Sequence, residues 1–150
     1  MNIAFGSDHG GVDLKSALIK FARASGHTLI DCGSSGTESV DYVDYAGAVT
    51  KLITDHQADR GVLVCKSGIG MSIAANKVRG IRAALVYNDE VASLSRRHND
   101  ANVICFAASY TDQESAGKML DIWLNADFEG GRHQRRIDKL DKLLETDRGF

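Results

Sequence analysis

Proline is absent from all 150 positions, so fifteen glycines do the turning. Cysteine is scarce. Cys32, Cys65 and Cys105 are odd in number and far apart, which gives neither a disulfide framework nor a metal-ligand spacing. A reducing cytoplasm is therefore the expected setting. No apolar run nears the ~20 residues of a membrane-crossing helix. The first residues read at once as strand, without the basic flank and apolar stretch of a signal peptide. An excess of one charge sign is also lacking. The net charge of -2 makes no general field for nucleic acid or an anionic membrane, and neither is expected as a partner. An anion site must be built locally. The chain shows no internal repeat, low-complexity stretch or linker, and its length suits a single domain spanning residues 1–150.

What is present is alternation. Asn2–Gly6 is short, apolar and bounded by glycine, as a buried strand is. Leu14, Ala17, Leu18 and Phe21 recur at helix spacing, and Gly26 is a natural stop. Thr28–Cys32 reads as a second strand, Gly33–Asp44 as a polar loop, and Tyr45 to Asp55 as a helix. Gly61–Cys65 is a third strand, apolar throughout, as a sheet covered on both faces requires. Gly68–Gly70 turns the chain into a helix over Met71–Lys77. Arg82–Tyr87 and Asn102–Ala107 are the fourth and fifth strands, with a helix over Asp89–Arg97 between them. Ala116, Met119, Leu120, Trp123 and Leu124 mark the next helix, and Ile137, Leu140 and Leu144 a last one. The expected fold is α/β: a three-layer, doubly wound, Rossmann-like sheet of five parallel strands with an extra C-terminal helix. Ligands of such sheets bind where the strand order reverses, at the strands' carboxyl ends. With the strands taken in the order 2-1-3-4-5, that point gathers Asp8-His9-Gly10-Gly11 and Cys65-Lys66-Ser67-Gly68-Ile69-Gly70.

Each of these residues has a chemical and a structural reading. Cys65 closes a buried strand before a helix N-terminus, which favours reactive thiolate, yet a free cysteine is usually a small core residue. Cys105, mid-strand, fits that plain role, and Cys32 fits either. The amides of Lys66–Gly70 suit an oxyanion, whereas a tight strand-to-helix turn also needs glycine. The loop lacks the third glycine of a dinucleotide fingerprint. Asp8-His9 is either part of a site or a cap on the first helix. His98 and Asn99, just before the fifth strand, are within reach of the strand ends as acid or base, while Arg96 and Arg97 read as a solvated helix end. Arg132 and Arg136 share one helix face and suit a phosphate, or face solvent.

Taken together, DHGG after the first strand, DYVDYA, CKSGIGMSIAANK, GIRAAL, RRHNDANV and EGGRHQRR resemble ribose-5-phosphate isomerase type B, in a superfamily that includes other sugar-phosphate isomerases. The resemblance implies an aldose–ketose isomerase of the pentose phosphate pathway, without metal or cofactor. It also implies a homodimer with shared active sites, and leaves room for a dimer of dimers. By motif, Cys65 is the base at C2, Ser67 lies beside the enediol, and the amides of Lys66, Gly68, Ile69 and Gly70 hold its oxygen. His98 opens the furanose ring, and Asp8, Tyr42 and Asn99 meet sugar hydroxyls. His9 holds the phosphate, with Arg132 and Arg136 from a tail (about 127–150) packed on the other subunit. The chain departs from the pattern in four places. Lys66 replaces a glycine, Ser67 a threonine, Val43 a proline, and Ser109 an arginine that contacts phosphate.

Rival readings are weaker on the residues. A cysteine phosphatase needs arginine where Met71 stands, and a receiver module needs aspartate where Cys65 stands. A flavodoxin-like module and an isomerase of another sugar phosphate remain as alternatives.

Overall fold

The computed structural model describes residues 1–143. Strands β1 (Asn2–Ser7), β2 (Thr28–Asp31), β3 (Arg60–Cys65), β4 (Ala83–Leu85) and β5 (Val103–Ala107) form one parallel sheet. Helices α1 (Val12–Ala24), α2 (Tyr42–Thr54), α3 (Ile69–Ala75), α4 (Asp89–Arg97) and α5 (Gln113–Asn125) alternate with the strands, and α6 (Arg132–Leu143) follows. Leu144, expected on the last helix face, lies outside the described residues.

Strand pleating splits the core in two. Ile3, Phe5, Val62, Val64, Ile104 and Phe106 face α1, α4 and α5. Ala4, Leu63, Cys65, Val103 and Cys105 face α2 and α3. This is the expected three-layer architecture, with side chains alternating between the two faces.

The strand order is β2-β1-β3-β5-β4, which corrects the expected 2-1-3-4-5. Burial gives the reason. Every residue of β5 is buried, as a strand with neighbours on both sides must be, whereas β4 has three residues, all half-buried. A short, partly exposed strand belongs at an edge. The reversal point between β1 and β3 is unaffected.

Three helices begin or turn differently from the expectation, and one of them, α3, runs over Ile69–Ala75 rather than Met71–Lys77. α2 starts at Tyr42, three residues before the expected Tyr45, so the polar loop ends at Asp41. Asp41 followed by Asp44 in the first turn is the acidic pattern that opens a helix. In α1 the buried stripe is Leu14, Leu18 and Ala22, and Phe21 sits at the rim. The helix ends at Ala24, and Gly26, two residues on, lies in the left-handed region at φ +82°.

Candidate active site

β3 delivers Cys65 to the carboxyl edge of the sheet, 4% exposed, on the α2/α3 face. The Gly68 N–H donates to Cys65 Sγ at 3.1 Å. Gly68 has φ +73° and opens α3, and a Cβ there would collide with Leu85 and the Phe106 carbonyl, so the turn needs glycine. Lys66 tolerates its side chain because the left-handed residue of the turn is Gly68. Among the described residues, His56 and Asp100 are the non-glycines with positive φ. The Ile69 N–H leans on Ser67 Oγ at 3.4 Å. Among the described residues the N–H groups of Lys66, Ser67 and Gly70 donate no hydrogen bond, which leaves three amides beside the thiol for a ligand oxygen.

The β1 loop closes on this turn. A Cβ on Gly11 would lie 2.5 Å from the Val64 carbonyl oxygen, so only glycine lets the two loops touch. Asp8 is buried, and its Oδ1 accepts the Gly10 N–H at 2.9 Å. Helix α1 has Gly11 at its N-cap and no side-chain cap, which removes the capping role for Asp8. His9 is exposed, and its Nδ1 accepts the Val40 N–H at 3.3 Å. The Tyr42 ring lies over Gly70, where a Cβ would come within 2.8 Å of it. Ser109, just past β5, donates its N–H to the Lys66 carbonyl at 3.0 Å. Thus Asp8, His9, Tyr42, Cys65, Lys66, Ser67, Gly68, Ile69 and Gly70 gather at one edge.

Of the other cysteines, Cys105 belongs to the core and Cys32 packs against its edge. Cys105 is fully buried, and burial, with Cys65 nearby, pushes its pKa far up. Cys32 is half-buried, and desolvation, then Asp31, raises its pKa.

His98, Asn99, Arg132 and Arg136 do not join that edge within one chain. This corrects the expectation that His98 and Asn99 reach the strand ends. β5 begins at Val103, paired with Gly61, while Cys65 pairs with Ala107 four residues later. Four residues of strand span roughly 13 Å. His98 caps the C-terminus of α4, before β5 begins, so it belongs to the amino edge. Its ring stacks on His133 of α6 with centroids 4.2 Å apart, and Arg132 Nε lies 3.4 Å from His133 Nε2. Arg132 and Arg136 are exposed.

Sequence reasoning missed the groups that build this second cluster. Glu129 Oε2 lies 3.6 Å from His98 Nε2 and 3.7 Å from His133 Nε2, and its other oxygen pairs with Arg97. The hydrogen bond from Arg97 holds the Glu129 pKa below the usual carboxylate range. Burial, then the neighbouring His98, lowers that of His133. The Glu129/His133 spacing of four was the available signal. Of the two arginines at that helix end, Arg97 is exposed and pairs with Glu129, as a solvated end allows, whereas Arg96 departs from that expectation. Arg96 is buried and reaches Asp100 Oδ1 at 2.7 Å and the Ala101 carbonyl at 2.8 Å. Arg82 holds the other Asp100 oxygen at 2.7 Å.

Known proteins share this architecture. The family model described as Ribose/Galactose Isomerase matches residues 3–140. Ribose-5-phosphate isomerase B of Escherichia coli is 42% identical over 138 residues, which covers 92% of this chain and 93% of that protein. The solved ribose-5-phosphate isomerase B of Clostridium thermocellum is 43% identical with a TM-score of 0.96, covering 97% of this chain and 98% of its own. The Mycoplasma genitalium enzyme, solved with bound ribulose-5-phosphate, is 38% identical with a TM-score of 0.91 and 97% of each chain covered.

Proposed function

The chain belongs to the ribose/galactose isomerase family, and from that membership we propose that it interconverts ribose 5-phosphate and ribulose 5-phosphate. The observation that carries the chemistry is the Cys65 sulfur, held by the Gly68 N–H beside three uncommitted amides at the sheet's reversal point.

In this reading Cys65 takes the proton from C2 of the open-chain aldose. The electron pair moves into a C1–C2 double bond, and the carbonyl oxygen becomes an enediolate held by the loop amides. The proton then returns to C1, and the C2 hydroxyl passes its own proton to the C1 oxygen, which ends as a hydroxyl while C2 becomes the ketone. Atoms and electrons balance within substrate and protein, so no redox partner enters. A thiol can both take and return a proton, which suits traffic in both directions. Amide donors aimed at charge that exists only in the transition state are worth about 2.7–4 kcal/mol each. Ser67 lies beside the enediol, and Asp8 and Tyr42 meet the sugar hydroxyls.

Ring opening by His98, a hydroxyl contact from Asn99 and the phosphate clamp of Arg132 and Arg136 are assigned to a second copy. The support is the separation of the two clusters by the length of a strand. A homodimer related by a twofold axis joins one copy's carboxyl edge to the other's amino edge, twice. His9 completes the clamp. A cytoplasmic setting and a place in pentose phosphate metabolism follow from the substrate. The second reading is the same chemistry on a six-carbon sugar phosphate, favoured by the small Ser109 at the mouth.

Replacing Cys65 by alanine tests the assignment. Turnover in a coupled assay should fall at least ~10²-fold, the lower bound for losing a general base, with phosphate binding kept. Activity near wild type would refute it.

A further inference from the structure

The loops that leave the carboxyl edge are acidic. Residues 8–11, 32–41, 66–68, 86–88 and 108–112 contain Asp8, Glu38, Asp41 and Asp112, and one lysine or arginine, Lys66. Asp44, Asp89, Glu90 and Glu114 follow in the first turns of α2, α4 and α5. Lys15, the nearby cation on α1, is already committed to Asp31.

Lys66 is exposed, and among the described residues its ammonium has no ion pair and no hydrogen bond. It stands where three loops meet. Its Cβ is 3.4 Å from where a Cβ on Gly10 would lie, its carbonyl accepts the Ser109 N–H, and it directly follows Cys65. Asp8, on the facing loop, turns its Oδ1 to the Gly10 N–H. An exposed, uncommitted positive charge thus stands among loops that otherwise carry acidic side chains, of which Asp89 is paired with Lys118 of α5.

We propose that the Lys66 side chain is the cation that receives the substrate's phosphate from the Cys65-bearing chain, and so selects phosphorylated over unphosphorylated sugars. The proposal rests on the isomerase reading of the same site and adds a role for the side chain to the one given to its amide. A phosphate monoester brings a charge of about −1.5 to −2 at neutral pH. Next to this acidic rim it needs a compensating charge before the second copy's guanidinium groups can close on it. A lysine ammonium on a flexible stem serves as a point charge that follows the phosphate as the sugar ring opens.

The test uses the full-length enzyme, with KM and kcat for ribose 5-phosphate and competitive inhibition by inorganic phosphate. In Lys66→Met, KM and the phosphate inhibition constant should both rise about ten- to hundredfold, the range for a lost charge-assisted hydrogen bond. The loss should fall mainly on KM. Lys66→Arg should restore most of it. A Met variant with unchanged KM and phosphate inhibition overturns the proposal. So does a loss confined to kcat, which would put the ammonium on the reacting carbons. If the wild type turns over no aldose phosphate, the isomerase reading falls by itself. Calorimetric titration of wild type and Lys66→Met with inorganic phosphate then decides the Lys66 role separately: weaker binding to the Met variant upholds it, and equal binding overturns it.

Discussion

Mixing two inactive variants should restore activity to a predictable level. Cys65→Ala removes the base at the carboxyl edge, and His98→Ala removes the ring at the amino edge. Along β3 and β5 the two edges lie roughly 13 Å apart, too far for both groups to touch one sugar within a single chain. If each site takes Cys65 from one copy and His98 from the other, a hybrid dimer has one site with both lesions and one with neither. Random pairing of equal amounts makes half of all dimers hybrids, each with half its sites intact. Activity per chain should therefore return to about one quarter of wild type for a closed twofold dimer. Each variant alone should sit at least ~10²-fold down. The assay is mixing under mild denaturant, refolding by dilution and a coupled isomerase measurement against mixing time. Activity that stays at the level of the separate variants, after exchange is verified by mass spectrometry of tagged copies, would refute the shared site.

Two further predictions concern stability. Lys15 is buried with its ammonium 2.5 Å from Asp31, whose side chain is half-exposed. Asp31→Ala should cost about 3 kcal/mol, the low end for stranding a buried charge, because water reaches the partner side. For a chain of this size that is a Tm drop of ~6–12 °C. Lys15→Met should stay within about 1 kcal/mol of wild type, and equal losses in the two variants would contradict this account. Acid should also loosen the α4–α6 cluster. His133, facing His98, Arg132, Glu129 and Arg136, has its pKa lowered from 6.5, so the unfolded chain binds a proton that the folded chain resists. This stability is whole above that pH and declines as pH falls below it. Glu129, lowered from 4.5 chiefly by Arg97, adds a second loss below that value. The urea midpoint should drop between pH 7.5 and 5.5, and drop less in His133→Gln. Equal drops would refute the assignment to His133.

The sequence shows why some of this was readable and some was not. The apolar runs of β1, β3 and β5 and the glycine turn after Cys65 are local patterns, so the loops at the reversal point could be found by reading along the chain. Burial decided between β4 and β5, and burial depends on neighbours that periodicity does not name. The role of Asp8 was ambiguous because a helix cap and an Asx turn use the same carboxylate. The edge occupied by His98 was hidden for a different reason. A residue just before a strand looks close to the strand's chemistry, yet the strand itself carries the chain away from it. Glu129 meets His133 at a spacing of four, but it also meets Arg97 and His98, which no spacing rule connects to it.

The Asp100 carboxylate, gripped from two sides by Arg82 and Arg96, lies two residues after His98. In the proposed dimer its effect reaches beyond its own subunit. The grip fixes the backbone of the segment that presents an imidazole and an amide outward, before any neighbour arrives. In that dimer little conformational entropy would remain to be lost there, so each subunit would offer the other a rigid fitting rather than a loose strap.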